Sequence, residues 1–250
     1  MTKAERRVLT VSIFIAAAFG VTENVSAMHI MEGFLPLSYC IAWSAICLPF
    51  LVMGVISIKK ITQNHRKSLL ILAMAGAYAF VLSALKIPSV TGSSSHATGT
   101  GLSAILFGPW VTAVIGMIVL LFQAILLAHG GLTTLGANTF SMAIAGPFLA
   151  FGIYWLCKKW NVNRKVSIFL AAFFGDLFTY CVTSVQLGLA HPMENGGVMA
   201  SIASFLGIFA VTQIPLAVIE GLLTVVVMIG LESFAKPELR ELGYDQGVEA

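Results

Sequence analysis

Apolar runs about as long as a bilayer is thick, with at most one acidic residue each, recur along this chain, and they constrain it more than any other feature. A helix needs about 20 apolar residues to cross a hydrocarbon layer of roughly 30 Å. The sequence offers Leu37 to Ile58, Ser68 to Leu85, Leu102 to Ala128, Ala137 to Cys157, Val166 to Ala190 and Ile202 to Leu231. Lipid offers no partner for backbone N–H and C=O groups, so runs of this length read as helices. Hydrophobic residues make up 58% and charged residues 10% of the chain, against about 45–50% and about 25% in soluble domains. A water-soluble fold is excluded, and the expected class is all-α, a polytopic membrane protein. Cys40, Cys47, Cys157 and Cys181 all fall inside apolar runs with no CxxC pair, so they read as packing residues and not as a disulfide framework or a thiolate metal site. The net charge of +3 is carried in short segments between runs, where it sets membrane orientation; no nucleic acid partner is indicated.

The amino-terminal stretch is built differently. Lys3, Arg6 and Arg7 form a positive head, Val8 to Val21 an apolar stretch of 14 residues, and Val25-Ser26-Ala27 a small-residue cleavage pattern. Residues 1–27 are therefore expected to be a signal peptide. The competing interpretation is a first transmembrane helix, for which this stretch is short. Cleavage after Ala27 leaves residues 28–250 as one membrane-embedded domain beginning Met28-His29-Ile30, with a free α-amine outside the cytoplasmic membrane.

Short loops rich in Lys and Arg stay cytoplasmic. Lys59, Lys60, Arg66 and Lys67 place the first connecting loop inside, so the mature amino terminus is outside. The second run then returns the chain to the outer face before the polar loop from Ser93 to Thr100, and His29 and His96 share a side. One crossing each for the third and fourth runs would leave Lys158, Lys159, Arg164 and Lys165 outside, whereas an odd number of crossings keeps them in. Gly108-Pro109 breaks the third run, and proline suits the start of a helix. About seven helices are therefore expected. Thr98 to Phe107 is short for a full span, and a re-entrant piece buried by protein is the alternative. With seven, the His191 to Gly197 loop is outside and the charged tail from Glu232 onward is cytoplasmic.

The new amino terminus carries specific chemistry. A free amine, the amide nitrogen of the second residue and a second-residue imidazole close adjacent five- and six-membered chelate rings around one ion, here through Met28 and His29. These three nitrogens lie in a plane, and His96 is the candidate for the fourth corner. Such a tetragonal nitrogen site suits Ni(II) or Cu(II), and imidazole is also acceptable to cobalt. Gly92, Gly99, Gly101 and the Ser93-Ser94-Ser95 run would let backbone approach and hydrogen-bond the His96 ring. Taken alone, the two histidines also read as polar loop residues at the interface.

The strings MHIMEGFLP (Met28 to Pro36), TGSSSHATGTGL (Thr91 to Leu102), LAHGGLTTLGANTFSMAIAGP (Leu127 to Pro147), GDLFTYCVTSVQLGLA (Gly175 to Ala190) and TQIPLAVIEGLLT (Thr212 to Thr224) resemble the CbiM family across nearly the whole mature chain. The resemblance implies the substrate-specific subunit of an energy-coupling-factor cobalt transporter. It implies seven helices and a metal held by the amine of Met28, the nitrogens of His29 and His96. Met31-Glu32-Gly33 follows the cobalt-type members, whereas nickel-type relatives tend to have Pro and Asp there, so Co(II) is the expected transported substrate with Ni(II) the alternative. The implied partners are a CbiQ-like coupling subunit, a CbiO-like ATPase and a small CbiN-like membrane subunit in the cytoplasmic (inner) membrane, supplying cobalamin biosynthesis.

Other polar residues are weighed against this frame. Asp176 and Glu220 fall near mid-membrane, where charge is costly and commonly functional; hydrogen bonding within the bundle or support of a partner contact is the favoured role, a proton relay the other. His129 is expected on the side opposite His96, in a structural role. His65 reads as solvated, His191 as at most a weak outer ligand, and Glu32 as a group that attracts or orients a cation. Ala73/Ala77 and Ala75/Ala79 around Gly76 are small-residue pairs that allow close helix approach, most simply in the protein's own core, with a face for the coupling subunit, as the resemblance implies, the alternative. No GxxxxGK[ST] loop or HExxH pair is present, so ATP hydrolysis by that loop or zinc-protease chemistry is not expected of this chain. A stand-alone metal channel or secondary carrier is the remaining rival.

Overall fold

The computed structural model describes residues 29–64, 68–85, 87–88, 94–242 and 244. The expected signal peptide at residues 1–27, Met28 with its amine, and His65, Arg66 and Lys67 lie outside the described residues. The elements are α1 (Leu37–Asn64), α2 (Ser68–Ala84), β1 (Ile87–Pro88), β2 (Ser94–Ser95), α3 (Thr100–Phe107), α4 (Pro109–Leu127), α5 (Leu135–Asn138), a π-helical segment (Thr139–Ala145) continuing into α6 (Gly146–Lys159), α7 (Arg164–Ala190), α8 (Gly197–Phe234) and α9 (Lys236–Glu241). The two short strands pair antiparallel, Ile87 with Ser95 and Pro88 with Ser94; the other elements among the described residues are helices.

Among the described residues, five helical stretches are long and apolar enough to cross a membrane: Leu37–Gln63, Pro109–Leu127, Leu135–Lys159, Arg164–Ala190 and Gly197–Phe234; Ser68–Ala84 is apolar but 17 residues long. Large apolar side chains such as Leu48, Leu70, Phe122 and Val226 lie on the outside, while Ser83, Gln123, Asp176, Gln186, Gln213 and Glu220 are buried. This distribution suits lipid, which tolerates apolar skin and demands that polar groups find partners inside. Only 11% of the α1 window is buried against 50% for α4 and α7, so α1 is peripheral and α4 and α7 are central.

The chain reverses at Gly108. This residue has φ +81°, a backbone state that favours glycine, and its N–H closes the last turn of α3 on the Ala104 carbonyl at 3.0 Å. Pro109 then opens α4. Ser103 and Thr112 hydroxyls meet at 3.0 Å, although a continuous helix would hold them roughly 13 Å apart, so α3 and α4 form a hairpin. The eight residues of α3 cover only about 12 Å, and Thr100 through Leu106 are all buried, as a short element at membrane depth requires.

A second irregularity precedes α6. Pro147 has no N–H to donate to the carbonyl four residues back, and the wider π turns of Thr139–Ala145 end just before it. Helices α7 and α8 run antiparallel: Gly188 packs on Ile202 near their connection, and Gly221 on Phe169 far from it. In α2, Ala75 and Ala79 are buried in the protein's own core, whereas Ala73, Gly76 and Ala77 border an apolar groove of about 570 Å³ against α4. Cys40, Cys47 and Cys157 are buried free thiols and Cys181 is partly buried, consistent with packing roles.

Candidate metal centre

Residues 29–36 enter the protein as non-helical chain, so their backbone groups need partners from elsewhere. The turn between α4 and α5, together with the end of α5, supplies them. The Ile30 N–H donates to Asn138 Oδ1 at 2.8 Å, and Asn138 Nδ2 donates back to the Ile30 carbonyl at 3.0 Å. Thr134 Oγ1 donates to the same carbonyl at 2.6 Å. Gly131 permits this approach: a Cβ there would sit 2.6 Å from the backbone N and Cα of Glu32. The Glu32 carboxylate accepts from the Thr133 N–H at 3.1 Å and from the Thr133 hydroxyl, and that hydroxyl holds it below the usual carboxylate range. From the end of α7, His191 Nε2–H donates to the Phe34 carbonyl at 2.7 Å.

This anchorage drives the His29 ring into the interior, where it is 3% exposed. His96 arrives from the segment between β2 and α3 and is fully buried. Its Nδ1 lies 3.0 Å from the Ala97 carbonyl, which fixes Nδ1–H as the donor and leaves the Nε2 lone pair facing inward. Nε2 meets Nδ1 of His29, with the ring centroids 4.4 Å apart. Nδ1 is the nitrogen of His29 that a six-membered chelate ring with its own amide would use. The structure thus joins two expected site residues 67 positions apart in sequence.

His129 corrects an expectation. It follows α4, and its ring lies 4.5 Å from that of His29 and 5.0 Å from that of His96, not across the membrane. The break at Gly108 already implies this placement: a chain that turns inward after His96 and reverses is carried back by the 19 residues of α4 to the face it left, so the opposite-side expectation did not follow from the seven-helix path. One nitrogen from each of His29, His96 and His129 lies within 4.8 Å of the others. Ala128, at φ +46°, turns the chain off α4, and the His129 N–H closes on the Gln123 carbonyl at 3.1 Å.

A second layer holds the His96 segment. Gln213 Nε2 donates to the His96 carbonyl at 3.2 Å and to Asp176 Oδ2 at 2.5 Å. Glu220 accepts from the Thr98 N–H at 2.5 Å and from the Thr98 hydroxyl at 3.0 Å. Ser95 and Thr212 hydroxyls meet at 2.7 Å. Asp176 and Glu220 therefore hydrogen-bond within the bundle and steer the loop that carries His96. His191 is occupied in tying down Phe34. Sequence reasoning passed over Asn138, Thr134 and Gln213 as site-builders; the signal available was an amide or hydroxyl stranded in an apolar run.

Residues 29–239 match the family model described as the cobalt uptake substrate-specific transmembrane region. The chain is 64% identical over 247 residues to the cobalt transport protein CbiM of Lachnoclostridium phytofermentans, covering 99% of each chain. It is 59% identical over 221 residues to that of a Nostoc species, covering 88% of this chain and 85% of the relative. Two solved structures resemble the fold. A transition metal transporter superposes with a TM-score of 0.71 at 26% identity, covering 89% of this chain and all (100%) of the other. A truncated transition metal transporter gives 0.70 at 28%, covering 82% and 98%. Three inward-turned imidazoles inside a lipid-facing helical bundle, together with a match that runs through them, make this chain a member of the CbiM family of cobalt uptake membrane proteins, transport components and not enzymes.

Proposed function

We propose that the chain is the substrate-binding subunit of an energy-coupling-factor transporter and captures Co(II) from outside the cytoplasmic membrane for ATP-driven uptake that supplies cobalamin biosynthesis. The observation that carries this reading is the meeting of His29 Nδ1 with His96 Nε2 between two buried imidazoles. The ligands are the Met28 amine released by cleavage after Ala27, the His29 amide and Nδ1, and His96 Nε2. Seven passages, counting α3 as one, put the mature amino terminus and the His191 loop outside and the carboxyl terminus inside. Energy comes from a CbiO-like ATPase acting through a CbiQ-like coupling subunit, with a CbiN-like small membrane subunit beside this one. The chain has no Walker-type phosphate loop of its own.

Mass spectrometry of the mature terminus, paired with cobalt uptake, tests the chelate. Cleaved protein should take up cobalt, and uncleaved, acetylated or Ala-inserted forms (one Ala between Met28 and His29) should not. Native-rate uptake by uncleaved protein would remove Met28 from the site. His96→Ala should lower Co(II) affinity by at least about 100-fold, the upper end of what even outer partners of a metal site are worth, with the protein still folded in the membrane. Cobalt uptake by this chain alone, independent of ATP, would point instead to a secondary carrier. Nickel uptake equal to or above cobalt in competition would point to a nickel-type subunit.

A further inference from the structure

The His129 imidazole has no part in the four-nitrogen chelate, yet the fold delivers it to the same point. Its ring is inclined 54° to His29 and 74° to His96, whereas His29 and His96 are within 30° of each other. In the proposed chelate the fused rings would hold the amine, the amide and His29 Nδ1 in one plane, and His96 Nε2 would close it. One nitrogen of His129 lies within 4.8 Å of a nitrogen on each of the other two rings, and with the four corners of that plane taken it reaches the ion only from off the plane. The delivery is also costly to arrange. Ala128 takes a left-handed backbone, and Gly130, at φ +76°, brings the turn against His29, its Cβ position 3.5 Å from that of His29.

We propose that His129 is an additional, out-of-plane ligand of the transported ion and that it sets the preference for Co(II) over Ni(II) and Cu(II). This rests on the proposed Met28, His29 and His96 set. The chemical logic lies in the metals. Four nitrogens in a plane satisfy d8 Ni(II) and d9 Cu(II), which hold further ligands weakly or not at all in such a field. High-spin d7 Co(II) has no such preference for a bare plane and gains from a fifth nitrogen. Without His129, coordination order alone favours nickel and copper over cobalt; with it, the site rewards the ion that accepts a fifth donor. His129 is therefore the residue that turns a nickel-type chelate into a cobalt site.

The test uses the full mature chain, purified in detergent, titrated with Co(II) and with Ni(II). In His129→Ala, Co(II) affinity should fall about 10- to 100-fold, the range that loss of a partner at a metal site commonly costs, while Ni(II) affinity changes by less than about threefold. His129→Gln, which keeps a polar side chain of similar length, provides the same comparison if the alanine variant does not fold. X-ray absorption of native Co(II)-loaded protein needs no variant: it should show a five-coordinate ion with imidazole scattering from three rings. Equal losses for both metals, unchanged cobalt affinity in both variants, or a four-coordinate native site with two rings would overturn the proposal. The His96→Ala arm separates the two ideas. If it keeps both metals, the underlying chelate is wrong; if it loses both while His129 variants keep cobalt, only the role of His129 fails.

Discussion

At the residue scale, the centre depends on a few polar side chains that hold non-helical backbone inside an apolar bundle. Asn138 binds both the N–H and the carbonyl of Ile30, so Asn138→Ala strands a buried donor, and a buried unsatisfied group costs about 1–3 kcal/mol. Co(II) affinity should fall by about 10- to 100-fold, as for other outer partners of metal sites, and calorimetric titration of the variant measures it. Gln213 couples α8 to the His96 carbonyl and to Asp176; Gln213→Leu should weaken Co(II) by a similar about tenfold factor without changing its selectivity. Glu32 gives a pH dependence. Its carboxylate is held below the usual range by Thr133, so it stabilises the native state above its ordinary pKa and loses that contribution as pH falls through the lowered one. Thermal unfolding of the metal-free protein should therefore show an acid-side loss that is smaller in Thr133→Val.

At the element scale, the turn between α4 and α5 and the hairpin at Gly108 decide where the imidazoles go. Gly131→Ala places a Cβ 2.6 Å from the Glu32 backbone, a collision that only displacement of the amino-terminal segment relieves. Cobalt binding should be impaired at least as much as in Asn138→Ala, with the bundle intact by circular dichroism. The break at Gly108-Pro109 was legible because those two residues interrupt an apolar run, and α3 and α4 occupy the expected positions. That reversal already returns the end of α4 to the face of His96; what pattern alone did not yield was the meeting of the His129 ring with the other two, because side-chain contact depends on how the elements pack. The π turns before Pro147 were equally hidden: an apolar run looks the same whether its turns are α or π.

At the scale of the whole molecule, binding should act as a clasp. The ion would tie the amino-terminal segment, the β2–α3 segment and the α4–α5 turn together, and through Gln213 and Glu220 engage α8. Ligand at about 100 times its Kd stabilises the bound state by about 2.7 kcal/mol. Cobalt should therefore raise the melting temperature of the mature protein, and His96→Ala should abolish the rise; an equal rise in that variant would detach the clasp from the centre.

The membrane class, the apolar helices, their principal break and the histidines at 29 and 96 follow from the sequence itself, for a physical reason. Hydrocarbon thickness, proline and glycine chemistry and the chelating habit expected of a Met28-His29 terminus, were it freed by cleavage, act on residues close together in the chain, and the string resemblance supplied the pairing with His96. Only the tertiary structure decided the rest. Asn138 meets Ile30 across 108 positions and Gln213 meets His96 across 117; no local pattern encodes such a distance. His129 reaches the other two imidazoles because a short helix turns back on itself, and that outcome belongs to the packed path of the chain.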